Sequence, residues 1–315
     1  MKPESVVKVV LCRPQSAARA LEQSSAWERI QQRALEAQIQ AKKRAEGEAN
    51  KPGMLFIPGM DKYMRAMPNY LSRSRLFAPV AWEKRQMYEG SDLIDGSEKV
   101  TLKGWGRQLT EDVADIWFHA LYLCSKAPMG QAVRISRWRF LQDLGRHSGG
   151  YAYDWLHRGV IALSTFTIAI EARTADGIPK FSIGTRASSR VMHMLDGFDY
   201  CASAREYRLC MDPRWREIFA NREYGLVDWE KRLRMGQRQY QAKSLQRLVS
   251  VSSDRVQRYG LEFLKKRAQY GSHMSKFRKN ALEPAMRELE RLDVIAEGRI
   301  ERSLKGAEQA VWIKL

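Results

Sequence analysis

The run RWRFLQDLGRHSGGYAYDWLHRGVIALSTFTIAIEARTADGIPKFSIG, residues 137–184, changes its hydrophobic period part-way along, and that change restricts the fold more than any other stretch. Ser136 is placed to cap a helical pattern over Arg137–Leu144, which Gly145 stops. Past Gly149-Gly150 a second helical pattern runs to about Leu163, with Tyr153, Leu156, Val160 and Leu163 on its inner side. Tyr151, Asp154, His157 and Arg158 fall on or near the other side. STFTIAIEAR then alternates with period two, ADGIP turns, and KFSIG begins a return strand.

Upstream, KVTLKGW alternates as a strand would. Thr110 then precedes a helix with Glu111 and Asp112 in its first turn and Val113, Ile116, Trp117, Ala120 and Leu121 at helical spacing. Pro128 and Gly130 end it, and VRI is a short strand. Helix, strand, helix, turn, helix, hairpin is the order of a winged helix-turn-helix. Its second helix props the third, the third enters a major groove, and the hairpin lies along the backbone.

A second helical set follows at 237–251, 261–270 and 274–292, the last with Phe277, Leu282, Met286 and Leu289 at core spacing, and VIAEGRIERSL with AVWIKL can form a second wing. The fold expected is α+β, two winged helix-turn-helix domains in tandem behind a flexible basic tail. The tail is 1–52, partly helical or disordered, and 53–97 is a lead-in kept extended by its prolines. The two domains are then 98–230 and 231–315. Pro284 leaves two alternatives, a kinked last helix or one that starts later than Met274.

Charge points to the partner. The 315 residues carry a formal net charge of +18, a surplus that calls for a polyanion, double-stranded DNA first. Between Lys231 and Asn280 there are 14 Lys/Arg against two acids, Asp254 and Glu262. Neutralised phosphates release counterions, which gives salt-sensitive and sequence-blind attraction. SKFRKN, 275–280, opens the last long helix with groups that also read bases, since Arg pairs with guanine and Asn with adenine. The candidate base readers are Lys276, Arg278, Lys279 and Asn280, with Arg287 nearer the helix end, and Tyr151 and Arg158 in the first domain. Arg146 and His147 in the turn, and Arg173 and Lys180 beside the wing tip, are expected to face phosphates.

Other chemistries find no support in the residues. Cys12, Cys124, Cys201 and Cys210 form no CxxC pair and read as reduced thiols of a cytoplasmic protein. SVVKVVLC is broken by Lys8 and has no cleavage site, and VIALSTFTIAI, 160–170, is too short and polar to span a bilayer. There is no GxxxxGK[ST], no His-apolar-His pair and no clustered acids, so no cofactor, metal or catalytic role is expected. A binding protein is the expectation.

Three strings make the chain recognisable. MRAMPN at 64–69, RSRLF at 73–77 and EDVADIWFHALYLCSKAPMGQAVRISRWRFLQDLG at 111–145 together resemble the TrfA-type plasmid replication initiators. Trp117, Pro128, Gly130, Leu144 and Gly145 match that pattern, tyrosines 151 and 153 fall where tyrosines are expected, and WEKRLRM at 229–235 extends the match. The resemblance covers residues 60–300. It implies binding to direct repeats (iterons) at an origin, melting of adjacent duplex, recruitment of the host initiator and replicative helicase, and a monomer–dimer equilibrium. It also implies that the C-terminal unit makes the main base contacts. Such initiators can carry a sliding-clamp motif of the Gln-Leu-x-Leu-Phe kind. Here PGMLF keeps Leu55 and Phe56 but not the glutamine or first leucine, so a clamp contact and packing on the chain's own domain stay open. A winged-helix repressor on an inverted repeat shares every physical feature above. A sequence-blind DNA coat would fit the charge and leave the helix-turn-helix spacing unexplained.

Overall fold

The computed structural model describes residues 60–94, 99–184, 191–236 and 238–315, together with helical residues 31–33, 35, 38 and 39. Every element below lies in one compact unit, Pro52–Lys314. Strand β1 (Met64–Pro68) and helix α1 (Asn69–Arg73) are followed by β2 (Phe77–Ala78), a 3-10 turn at Trp82–Lys84 and β3 (Met87–Asp92). Next come β4 (Val100–Arg107), β5 (Leu109–Thr110), α2 (Glu111–Cys124), β6 (Val133–Ser136), α3 (Arg137–Asp143) and α4 (Gly150–Thr165). Five strands follow: β7 (Thr167–Arg173), β8 (Pro179–Ile183), β9 (Met192–His193), β10 (Gly197–Cys201) and β11 (Glu206–Cys210). Then come α5 (Trp215–Ala220), β12 (Tyr224–Asp228), α6 (Trp229–Arg234), α7 (Tyr240–Ser250), β13 (Val256–Gly260) and α8 (Leu261–Arg267). The last long helix is α9 (Met274–Phe277), a π turn (Arg278–Leu282) and α10 (Glu283–Arg291), and the chain closes with β14 (Ile295–Arg302) and β15 (Glu308–Lys314).

Apolar side chains gather in two clusters. The first runs from Met60 to Trp229, and the second from Met235 to Trp312. The first core already includes Met67, Tyr70, Leu71 and Phe77 from the stretch expected to run extended. That stretch instead forms β1, α1, β2 and β3, because β1 pairs antiparallel with β12, Met64 opposite Asp228 and Pro68 opposite Tyr224. A strand buried on both faces shows no alternation, so MRAMP gives no strand signal of its own.

Helix α2 runs through the first core and is buried on nearly every side. Trp117 sits between Phe77, Phe118 and Trp215, with ring centroids at 6.2, 6.0 and 5.1 Å. Its indole N–H donates to the Met194 carbonyl at 3.2 Å. Thr110 occupies the cap position, yet its hydroxyl donates to Asp112 and no backbone N–H reaches it. Ser136 does cap α3, accepting from the Arg139 N–H at 3.4 Å. Gly145, at φ +66, takes the left-handed conformation that ends α3. At Gly159 the α4 backbone closes on α2, where a Cβ would lie 2.2 Å from Ile116 Cδ1.

The hairpin expected to be the first wing lies elsewhere. β7 and β8 belong to a five-stranded sheet ordered β3-β4-β7-β8, with β9 also paired to β7. β7 is thus a central strand, buried at Ile168, Ala169, Ile170 and Ala172. The strand ahead of α3, β6, pairs instead with β11, and β11 pairs with β10. β10 and β11 show the half-exposed pattern of a surface hairpin. In the second half, β13 pairs with β15, and β15 with β14. Both halves therefore repeat one plan: helix, strand, helix, helix, hairpin, with the second strand of the hairpin central in its sheet. Between its third helix and its hairpin the first half also carries β7–β9, strands without a counterpart among the described residues of the second half.

The last helix starts at Met274 and continues to Arg291, so the reading in which Pro284 delays its start does not hold. Proline lacks an N–H and its ring crowds the carbonyl one turn back. The π turn stands immediately before it, and its wider spacing accommodates the ring.

Buried charges join the two cores. Glu111 accepts from Arg232 at 2.8 Å and from Arg247 at 2.6 and 2.9 Å. Asp115 accepts from Arg232 at 2.5 Å and Lys243 at 2.6 Å. Burial opposes ionisation of both carboxyls. Arg247 and Arg232 overcome it at Glu111, and Arg232 and Lys243 at Asp115, holding each below its ordinary pKa. These cations, with Arg267, are buried, so four of the 14 basic residues counted between Lys231 and Asn280 serve the interior.

Candidate nucleic-acid interface

Helix α4 shows solvent one narrow side, with Tyr151, Asp154, Arg158, Ile161 and Thr165 exposed. Tyr151, in its first turn, is 78% exposed. Arg158, two turns on, is exposed too, with its guanidinium 5.6 Å from the Trp82 ring. Between them, Tyr153 and His157 turn toward the β10–β11 hairpin. The Arg137 guanidinium lies 4.7 Å from the Tyr153 ring and 4.6 Å from that of Tyr200, bridging α4 and β10. His157 Nδ1 lies 3.1 Å from the Tyr207 hydroxyl on β11. These contacts fix the hairpin beside α4.

The turn residues divide. His147 is exposed, whereas Arg146 lies against the Trp155 ring at 3.5 Å, and the Trp155 N–H donates to Asp112 at 2.7 Å. Arg173 and Lys180 are on the five-stranded sheet, not on a hairpin beside α4. Arg173 pairs with Glu171 at 2.5 Å and Lys180 with Glu223. Each pairs with a carboxylate of its own fold, and both side chains keep part of their surface in solvent.

Sequence reasoning missed the cations on the three-stranded sheet that flanks α4. Arg134 of β6 lies directly opposite Arg208 of β11, both exposed, while Ile135 and Tyr207 face inward. Arg205, at φ 52, shapes the hairpin turn. The signal was the alternation in VRIS and EYRLC, where Arg takes the outward positions of strands whose inward positions are apolar.

In the second half, Lys276, Lys279, Asn280 and Arg287 are exposed, and Phe277, Leu282, Met286 and Leu289 fill the core behind them. Lys279 and Asn280 lie within the π turn. Arg278 differs from its neighbours: Glu283 holds it at 2.9 Å and Glu308 at 3.3 Å. The tip of the β14–β15 hairpin carries exposed Arg302 and Lys305, with Leu304 fully exposed between them. Leu55 and Phe56 lie outside the described residues. Among the described residues no helix is long and apolar enough to cross a membrane.

No family model matches the chain. Over 170 residues it is 24% identical to the plasmid replication initiator protein TrfA of Escherichia coli, a match covering 53% of this chain and 42% of that protein. The chain is similar to plasmid replication initiators. The matched part is less than half of TrfA's length. The structure of the Pi initiator protein in complex with iteron DNA aligns over 81% of this chain and 99% of that one, at 13% identity and a TM-score of 0.54. That likeness is one of fold. Domains 2 and 3 of RctB align over 79% of this chain and 98% of that one, at 11% identity and a TM-score of 0.49. The resemblance to TrfA-type initiators read from the three sequence strings stands.

Proposed function

We propose that this chain is a replication initiator that binds direct repeats at a plasmid origin through two winged helix-turn-helix units. The observation that carries the proposal is the repeated plan: α2, β6, α3, α4 and β10–β11 in one half, α7, β13, α8, α9–α10 and β14–β15 in the other, each with the same strand order. In each unit the third helix enters a major groove, with Tyr151 and Arg158 on α4 and Lys276, Lys279, Asn280 and Arg287 on the last helix toward base edges. Arg134 on β6 and the hairpin cations Arg205 and Arg208, with Arg302 and Lys305, meet phosphates and set the register. The similarity to TrfA and the fold of the Pi initiator support this reading.

The protein carries no catalysis of its own in this proposal. Binding bends the repeat array, and the strain lowers the energy needed to melt neighbouring duplex. Host initiator, replicative helicase and a monomer–dimer equilibrium enter by the resemblance.

Selection of bound duplexes from a random-sequence library at near-physiological salt tests the proposal. One asymmetric site, bound more tightly when repeated in direct orientation, is the expected result. A palindromic site would indicate a repressor, and binding without enrichment that vanishes as salt rises would indicate a sequence-blind coat.

A further inference from the structure

A pocket of about 810 Å³ opens between α1 of the first half and β13 and α8 of the second. Arg73, Arg258, Tyr259, Phe263 and Arg267 line it. Arg267 is 2% exposed, and its N–H groups donate to neutral oxygens: the Ser72 carbonyl at 2.9 and 2.7 Å, the Ser244 carbonyl at 2.9 Å and the Ser244 hydroxyl at 2.8 Å. Those oxygens solvate a guanidinium without neutralising it. Burial, with Arg247 adding repulsion, pushes its pKa down to about 9. The nearest buried carboxylate, Glu111, is already taken by Arg232 and Arg247.

Two further cations stand at the mouth. Arg73 and Arg258 are exposed, and among the described residues neither is held by a carboxylate. Burial raises the Tyr259 hydroxyl, and Arg73 and Arg267 both oppose that rise, so the three groups share one electrostatic field. An apolar face adjoins them: the Tyr259 and Phe263 rings stack at 5.9 Å and 19°, and Phe263 is 38% exposed. The rim also carries acids. Glu223 is bound to Lys180, Asp254 accepts from the Ser252 hydroxyl at 3.5 Å, and Glu262 is exposed on α8.

We propose that this pocket binds a nucleoside phosphate, its phosphate held by Arg73 and Arg258 with the buried charge of Arg267 behind them, and its base on the exposed ring of Phe263. Charge-assisted contacts supply the anion's partners, and a flat ring suits the exposed aromatic face. The volume is that of a small-molecule site. Such a ligand touches α1 of one half and β13 and α8 of the other, so its binding stabilises the arrangement of the two by mass action.

The test is calorimetric titration of the full chain with ADP, adenosine, pyrophosphate and, separately, a short random duplex. ADP is expected to bind in a one-to-one ratio, and adenosine at least tenfold more weakly. The double variant R73A/R258A, whose sites are exposed and whose melting temperature should be unchanged, loses tenfold or more in ADP affinity. Absence of ADP and pyrophosphate binding overturns the proposal, as does equal affinity for adenosine and ADP or unchanged affinity in the variant. Weaker duplex binding by the variant, with no small-ligand binding, also overturns it and assigns the cations to a DNA phosphate. The result is separate from repeat recognition, because Lys276 and Asn280 remain intact throughout.

Discussion

Arg134 on β6 faces Arg208 on β11 across an antiparallel pair, and both side chains are exposed. Like charges directly across a sheet destabilise it, and a phosphate lying over the pair reverses that sign. Alanine at either position is therefore expected to weaken binding to repeat and random duplexes alike. Each change should reduce the slope of log affinity against log salt by about one. Anisotropy titrations over a salt series measure this, with the melting temperature expected to hold or rise slightly. A loss confined to one sequence would contradict a backbone role.

Asn280 and Arg278 should separate under the same assay. Asn280 is exposed, and its replacement by alanine is expected to cost about 1–3 kcal/mol on the preferred site and relax the choice of base there. Arg278 is held by Glu283 and Glu308, so R278A should leave the selected sequence unchanged. Its lost ion pairs are exposed and worth about 0–1 kcal/mol of stability. A relaxed consensus in R278A would show that the arginine leaves its acids on binding.

The joint between the cores should be sensitive to single changes. R232M removes one partner from both Glu111 and Asp115, and a broken buried pair costs about 3–5 kcal/mol. Urea unfolding is expected to show a loss of that size. A change below about 1 kcal/mol would mean that Arg247 and Lys243 compensate fully.

Acid should destabilise the protein in two stages. His119 is 2% exposed, and burial, reinforced by Arg65, lowers its pKa below 6.5 despite Asp143 at 3.4 Å. A histidine whose folded pKa is depressed stabilises the fold above its unfolded value and loses that contribution as pH falls. The melting temperature should therefore decline below about pH 6.5. Glu111 and Asp115, also held low, maintain their contribution until pH falls below about 4, where the second decline begins. H119Q should abolish the upper stage alone; a profile identical to the parent's would refute the assignment.

Local chemistry made α3 and α4 legible: Ser136, Gly145 and the Gly149-Gly150 pair mark their ends within a few residues. Strand partners were not legible, because pairing is set by contacts far apart in sequence. The alternation of Thr167–Arg173 is as compatible with a central strand as with a wing, and only β4, more than 60 residues upstream, decides. Charge counts misled for a related reason. Arg232, Lys243 and Arg247 look like surface cations until α2 supplies the carboxylates that bury them. For Arg134 and Arg208 the outward phase was visible, yet nothing local showed that the two strands are neighbours.

The ion pairs at the joint also set an order of events during synthesis. Glu111 precedes Arg247 by 136 residues, and Asp115 precedes Arg232 by 117. At about 5–20 residues per second, the ribosome makes the two carboxylates roughly 6–27 seconds before their partners. Until then α2 cannot bury both acids without neutralising them. The N-terminal half of the nascent chain therefore carries two acids without their buried cations until the C-terminal half is made.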